Sequence, residues 1–268
     1  MRRSLGGTFL LVAGVLFALA LSTLWLQRVA FSPSADTGSA AAILEDDIIR
    51  GEVATLIASA DAPVLGMSST QLKEFIEQIA VLDAGAAVMA DVVRDAHSLV
   101  IGERDDPVRV SAAEQVAIVR NELVALEPPI TLPVQEVSAL SFIHTLVRWT
   151  TIAAAALGVL TLLAGLIMRS EQGEAIRALS DGLGALAVMF PFFGFLVPFA
   201  LLPAVSDDTW MGIFPRLAQD SRTITFLVSI VSLVLAVVIR LRTTGSRQRR
   251  QGSRPLSVGR YRDQRWSH

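Results

Sequence analysis

The stretch FPFFGFLVPFALLP, residues 190–203, is apolar enough for a membrane helix and yet carries three prolines, Pro191, Pro198 and Pro203. Each would break a helix in water, because proline donates no N–H and its ring clashes with the carbonyl four residues earlier. In hydrocarbon such a break persists when neighbouring helices satisfy the freed carbonyls. On an α-helical register those carbonyls belong to Ala187 and Gly194, whereas Pro203 can end the helix. The stretch therefore predicts a kinked span within a larger membrane bundle.

The rest of the chain agrees. Of 268 residues, 52% are hydrophobic, and the mean hydropathy is +0.54, too apolar for an ordinary soluble domain. Residues 5–26, 143–168, 183–205 and 224–239 each approach the roughly 20 apolar residues that cross about 30 Å of hydrocarbon. Their cores carry no charged side chain. The first span starts after a basic "MRR" and holds an "ALA" at Ala18–Ala20, both compatible with a cleaved signal. Its apolar run continues through "LSTLWL", beyond a signal core of roughly 7–15 residues, which favours a retained anchor.

Arginine placement predicts orientation, since cytoplasmic flanks are enriched in Lys and Arg. Arg2, Arg3, Arg169, Arg177 and the tail "RLRTTGSRQRRQGSRPLSVGRYRDQRW" fall on one side of a four-span chain. That side is read as the cytoplasm, with both termini inside and the protein in a bacterial cell membrane. The expected domains are an anchor (1–28), an acidic extracytoplasmic domain (29–141), a three-helix membrane region (142–240) and a disordered Arg-rich tail (241–268). In the outer loop "SDDTWMGIFPRLAQDSR", Trp210 and Phe214 suit the membrane–water interface.

The outer domain reads as helical with one exception. "AAILEDDIIRGEVATLIASA" has apolar residues at helical spacing and predicts one helix ended by Asp61 and Pro63. Ser68 with Gln71, and Ser111 with Glu114, form capping boxes that predict two more helix starts. In the first of these helices Leu72, Phe75, Ile76 and Ile79 share a face; in the second, Val116, Val119, Leu123 and Leu126 face inward. "AGAAVMADVVRDAHSLV" adds a further helix. "SLVIGERDDPVRVS" has two β-prone runs around a turn and predicts a short β-hairpin. "EPPITLP" predicts an extended connection, because residues before proline avoid the α region. The fold class is thus mainly α: four transmembrane helices plus a helix-rich extracytoplasmic domain.

Motifs for chemistry are sparse. The chain has no cysteine, which excludes disulfides, thiolate sites and lipobox acylation. The acidic clusters Glu45–Asp47, Glu103/Asp105/Asp106 and Asp207/Asp208 lack EF-hand spacing and its glycine, so solvated loops are the favoured reading. His97 lies near Asp91, Asp95 and Ser98 in sequence, but no nucleophile elbow accompanies them. His144, Arg148 and Trp149 suit interfacial anchoring. Ala154, Gly158, Thr161 and Gly165 form a small-residue seam for close helix approach, within the chain or in a homodimer. No catalytic, cofactor-binding or metal-binding residue is assigned, and no cofactor is expected. The Arg-rich tail is expected to touch anionic lipid; orientation and lipid contact account for its charge without nucleic acid.

The order of parts, from the single anchor through the domain ending in "PPITLPVQEV" to three spans with "RSEQGEAIRALSDGLGAL" between two of them, resembles uncharacterised actinobacterial four-span integral membrane proteins. The resemblance implies a cell-membrane location and transfers no site residues. The functional expectation is a non-enzymatic envelope protein, an interaction or assembly scaffold whose outer domain meets an unidentified envelope partner. The alternative is a transporter or channel subunit using the kinked third span.

Overall fold

The structure is a computed structural model that describes residues 5–34, 36–168 and 172–252. The chain is mainly helical, and four helical stretches are long and apolar enough to cross a membrane. They are α1 (Leu5–Ala30), α7 (Ser138–Ile167), α8 (Gln172–Pro191) with its π-helical continuation (Phe192–Leu201), and α9 (Ile213–Gly252). Between α1 and α7 lies a helical head of α2 (Thr37–Leu44), α3 (Asp47–Leu65), α4 (Ser69–Ala80), α5 (Asp83–Val100) and α6 (Ala112–Val119).

Small residues let the bundle helices approach closely. A Cβ on Gly14 of α1 would sit 3.1 Å from the Cα of Gly182 in α8, and one on Gly182 would sit 3.0 Å from that of Gly14. The α7 seam is spent inside the chain: a Cβ on Gly158 would meet Phe17 at 3.2 Å, and one on Gly165 would meet Leu10 at 2.8 Å. Such packing drives helix association in lipid, where burying apolar surface gains little. The lipid-facing sides of α7 and α9 remain apolar and exposed, as at Leu160, Leu163, Leu227 and Ile230.

The head departs from the periodicity reading in five places. The expected single helix over 41–60 is two, because Asp46 takes an extended backbone and accepts the Ile48 N–H at 3.0 Å, capping α3. That helix then passes Pro63 and ends at Gly66, whose φ of +65° suits a residue without a Cβ. The expected hairpin over 98–111 does not form: Ser98, Leu99 and Val100 finish α5, and β1 (Arg109–Val110) pairs antiparallel with β2 (Ile130–Thr131). After α6, Arg120 adopts φ +58°, and a 3₁₀ turn (Glu122–Leu126) follows. This rotation turns Leu123 and Leu126 outward, 61% and 95% exposed, while Ile118 and Val124 take the buried positions. Both capping boxes are present. Leu72 and Ile76 are buried, whereas Phe75 is exposed.

Trp210 and Phe214 are not interfacial. They are 1% and 0% exposed and belong to one core that runs from Leu26 and Phe31 through the head helices to Leu217. The 3₁₀ turn Thr209–Gly212 and the first turn of α9 are thus a plug in the head; burying such a side chain contributes about 1.5–3 kcal/mol. Beyond its span α9 stays helical to Gly252, past Gly245, longer than expected of a disordered tail. Residues 253–268 lie outside the described residues.

Candidate functional site: a cleft where the head meets the bundle

Three separated segments converge at the junction. The last turn of α1 brings Trp25 and Arg28; the chain then passes Ser32 and Ser34 to Asp36, which caps α2 by accepting the Ser39 N–H at 2.6 Å. From above, α5 contributes Arg94 and His97, and α9 contributes Leu217, Asp220 and Ser221. They enclose a cleft of about 250 Å³. A second opening, lined by Glu45, Arg216 and Arg222 among others, shares Gly38 and Asp220 with it.

His97 is 2% exposed and donates from Nε2 to the Ala30 carbonyl at 2.9 Å, which fixes the tautomer with the proton on Nε2. Its ring packs edge-on against Phe214. Burial pushes its pKa down to about 4, although the bond to Ala30 acts in the opposite direction. The histidine is therefore a neutral strut between head and α1. The acids near it in sequence are committed elsewhere: Asp91 and Asp95 pair with Arg94 at 2.8 and 2.9 Å, Arg104 also binds Asp95, and Ser98 donates to the Arg94 carbonyl. These residues do not form a nucleophile–base relay.

The carboxylate of Asp36 is held below the usual range, first by the Ser34 hydroxyl and then by the Ser39 amide. By contrast Arg28 and Asp220 are exposed and make no hydrogen bond or ion pair among the described residues. The cleft so offers one free cation and two anions beside an apolar wall.

The other candidate is the broken third span. The Ala187 carbonyl facing Pro191 accepts the Ser229 hydroxyl of α9 at 2.5 Å, so the break is satisfied across helices. Around Pro198 the register is π rather than α, with Leu202 N–H bonded to the Val197 carbonyl at 2.9 Å. In that i→i+5 register the carbonyl opposite Pro198 is that of Phe193, not Gly194. Gly194 has another use: a Cβ there would lie 2.4 Å from Trp25. Trp25 stacks on Phe190 and donates Nε1 to Thr225 at 2.9 Å, pinning α1, the third span and α9 together.

Sequence reasoning placed His144 and Arg148 at an interface; His144 stacks on Phe31 and lies 3.7 Å from Glu103, while Arg148 is exposed. Among the described residues, no group of three or more His, Cys, Asp or Glu is arranged to hold a metal. Asp61, expected to help end its helix, instead lies within α3, fully buried with both carboxylate oxygens unpaired; burial, and then the Glu127 charge, raise its pKa to about 6. Its place inside an apolar helical face was the available signal. No protein-family model, curated protein or solved structure matches the chain.

Proposed function

We propose that the chain is a multi-pass bacterial cell-membrane protein with both termini cytoplasmic, acting as a non-enzymatic interaction or assembly scaffold through its head. Orientation rests on charge: in the sequence Arg2, Arg3, Arg169, Arg177, Arg240 and Arg242 flank the span ends that do not connect to the head. The head end has Arg28, Arg148, Arg216 and Arg222 as well, but the segment between α1 and α7 that builds the head is acidic. Reporter fusions at Gly66 and after Arg254 are expected on opposite sides of the membrane; a shared side would defeat the reading.

The observation that carries the scaffold reading is the pair Leu123 and Leu126. In a 3₁₀ turn, side chains three apart eclipse, so these two exposed leucines make one apolar ridge on a head held firmly to the bundle. The partner inferred is another envelope protein. Affinity purification from native membranes, comparing wild type with Leu123→Asp/Leu126→Asp, tests this. A partner recovered with the wild type and lost from the variant supports the scaffold, whereas an identical set from both contradicts it.

The π segment favours a second reading, because π turns often mark working sites. A transport or channel subunit would show flux in liposomes from the pure protein, abolished by Pro198→Ala. Against this, the carbonyl freed by Pro191 is already bonded to Ser229 and the concave face at Gly194 is filled by Trp25.

A further inference from the structure

The cleft sits at a defined depth in the bundle. Thr151 donates to Thr23 at 2.9 Å, Gln27 donates to Thr151 at 3.2 Å, and Trp25 donates to Thr225, so these residues form one polar layer. Arg148 and Arg222 each lie three residues closer to the head than their layer threonine, about 4.5 Å at 1.5 Å per residue. Arg28 follows the layer at the end of α1. The three arginines, all exposed and unpaired among the described residues, thus ring the bundle at one level, the height at which long cationic side chains meet lipid phosphates.

Of these three only Arg28 opens into the cleft, where Asp36 and Asp220 also face; Arg94, the other arginine of its lining, is neutralised by Asp91 and Asp95. Below it, Phe17, Leu21 and Trp25 recur at intervals of four on the stripe of α1 that ends, three residues on, at Arg28. Phe17 and Leu21 line an apolar groove of about 230 Å³ with Leu183 and Leu186 of α8. From Phe17 to Arg28 the helix rises about 16 Å, close to half of the roughly 30 Å hydrocarbon thickness. Headgroup cleft and groove together therefore match one leaflet.

We propose that the cleft and groove bind one zwitterionic aminophospholipid, its phosphate on Arg28, its ammonium on Asp220 and Asp36, and an acyl chain along Phe17 and Leu21. The mixed charge selects it over an anionic lipid, because two carboxylates facing a purely anionic headgroup would repel it. A cleft below the roughly 300–1,000 Å³ of small-molecule sites suits a headgroup whose tails remain in the bilayer.

Native mass spectrometry of the full chain in detergent, titrated with phosphatidylethanolamine, phosphatidylglycerol or soluble glycerophosphoethanolamine, tests the proposal. One phosphatidylethanolamine per chain is expected, retained at least fivefold over phosphatidylglycerol. Arg28→Gln should cut retention about tenfold, and Asp220→Asn should remove the preference between the two lipids. Leu21→Trp fills the groove without touching a charge, and should release the lipid even if Arg28→Gln fails to fold. Arg148→Gln, at the same level outside the cleft, should leave retention unchanged. Equal loss with Arg148→Gln, equal retention of both lipids by the wild type, or competition by the soluble headgroup at the lipid's own concentration would each overturn it.

Discussion

The head and the bundle treat buried polar groups differently. In the bundle, four hydroxyl or indole groups find partners across helices: Ser229 on Ala187, Ser180 on the Ala236 carbonyl, Trp25 on Thr225, Thr151 on Thr23. Among the described residues, the buried side-chain atoms left without a partner are Arg50 Nε, both Asp61 oxygens, Gln115 Oε1 and Trp210 Nε1, all in the head or the plug at the start of α9. An unpaired group in hydrocarbon costs several kcal/mol with no water to relieve it. The head, with a continuous apolar core, carries such penalties; the bundle, held by close glycine contacts and hydrogen bonds, shows none of these orphaned atoms among the described residues.

The largest expected effect lies where the two regions share side chains. Phe214→Ala removes a fully buried ring from the plug and should cost about 3–5 kcal/mol. Hydrogen exchange should show α3 and α5 opening while the amides of α7 and α8 stay protected. Equal loss of protection in all four helices would mean that head and bundle are a single cooperative unit.

A smaller effect separates the two buried ionisable groups of the head by pH. The native pKa of Asp61 is raised to about 6, above its unfolded value, so its contribution is full below about pH 4 and declines as pH rises to 6. The native pKa of His97 is lowered to about 4, so its contribution runs the other way, growing as pH rises from about 4 to 6.5. In the wild type the two slopes oppose each other. Asp61→Asn should raise stability at pH 7 by about 1–3 kcal/mol and expose acid lability below pH 6.5, seen as a melting temperature that falls on acidification. A variant with the wild-type pH profile would contradict the burial of Asp61.

The smallest effect concerns the bundle. Ser229→Ala leaves the Ala187 carbonyl without its side-chain donor, and interhelical bonds in membranes are worth about 0.6 kcal/mol on average and up to about 1.7. A loss within that range in a reversible unfolding assay supports the cross-helix repair of the proline break. No measurable loss would mean that the π register alone accommodates Pro191.

The same contrast explains what the sequence revealed. Spans announce themselves by length and hydropathy, and capping boxes by residues three apart, so α1, α4, α6, α7 and the third and fourth spans were legible. Breaks were not: Asp46 separates α2 from α3 although the apolar spacing runs through it, and Arg120 turns the chain by a backbone angle that its side chain does not advertise. Trp210 and Phe214 were misplaced because an aromatic beside a span fits a lipid interface and a protein core equally well. The cleft had no motif at all, since 25–39, 94–97 and 217–224 meet only after folding.

The head is seated on the bundle through the start of α9. A Cβ on Gly212 would lie 3.3 Å from Cγ of Asp46 in the head, and the chain has no cysteine of its own. In membranes, Gly212→Cys/Asp46→Cys should oxidise to an intramolecular disulfide in nearly every chain, because the two side chains lie within bonding reach. Two free thiols, both labelled by maleimide under the same oxidising conditions, would show that the head does not sit where the account places it.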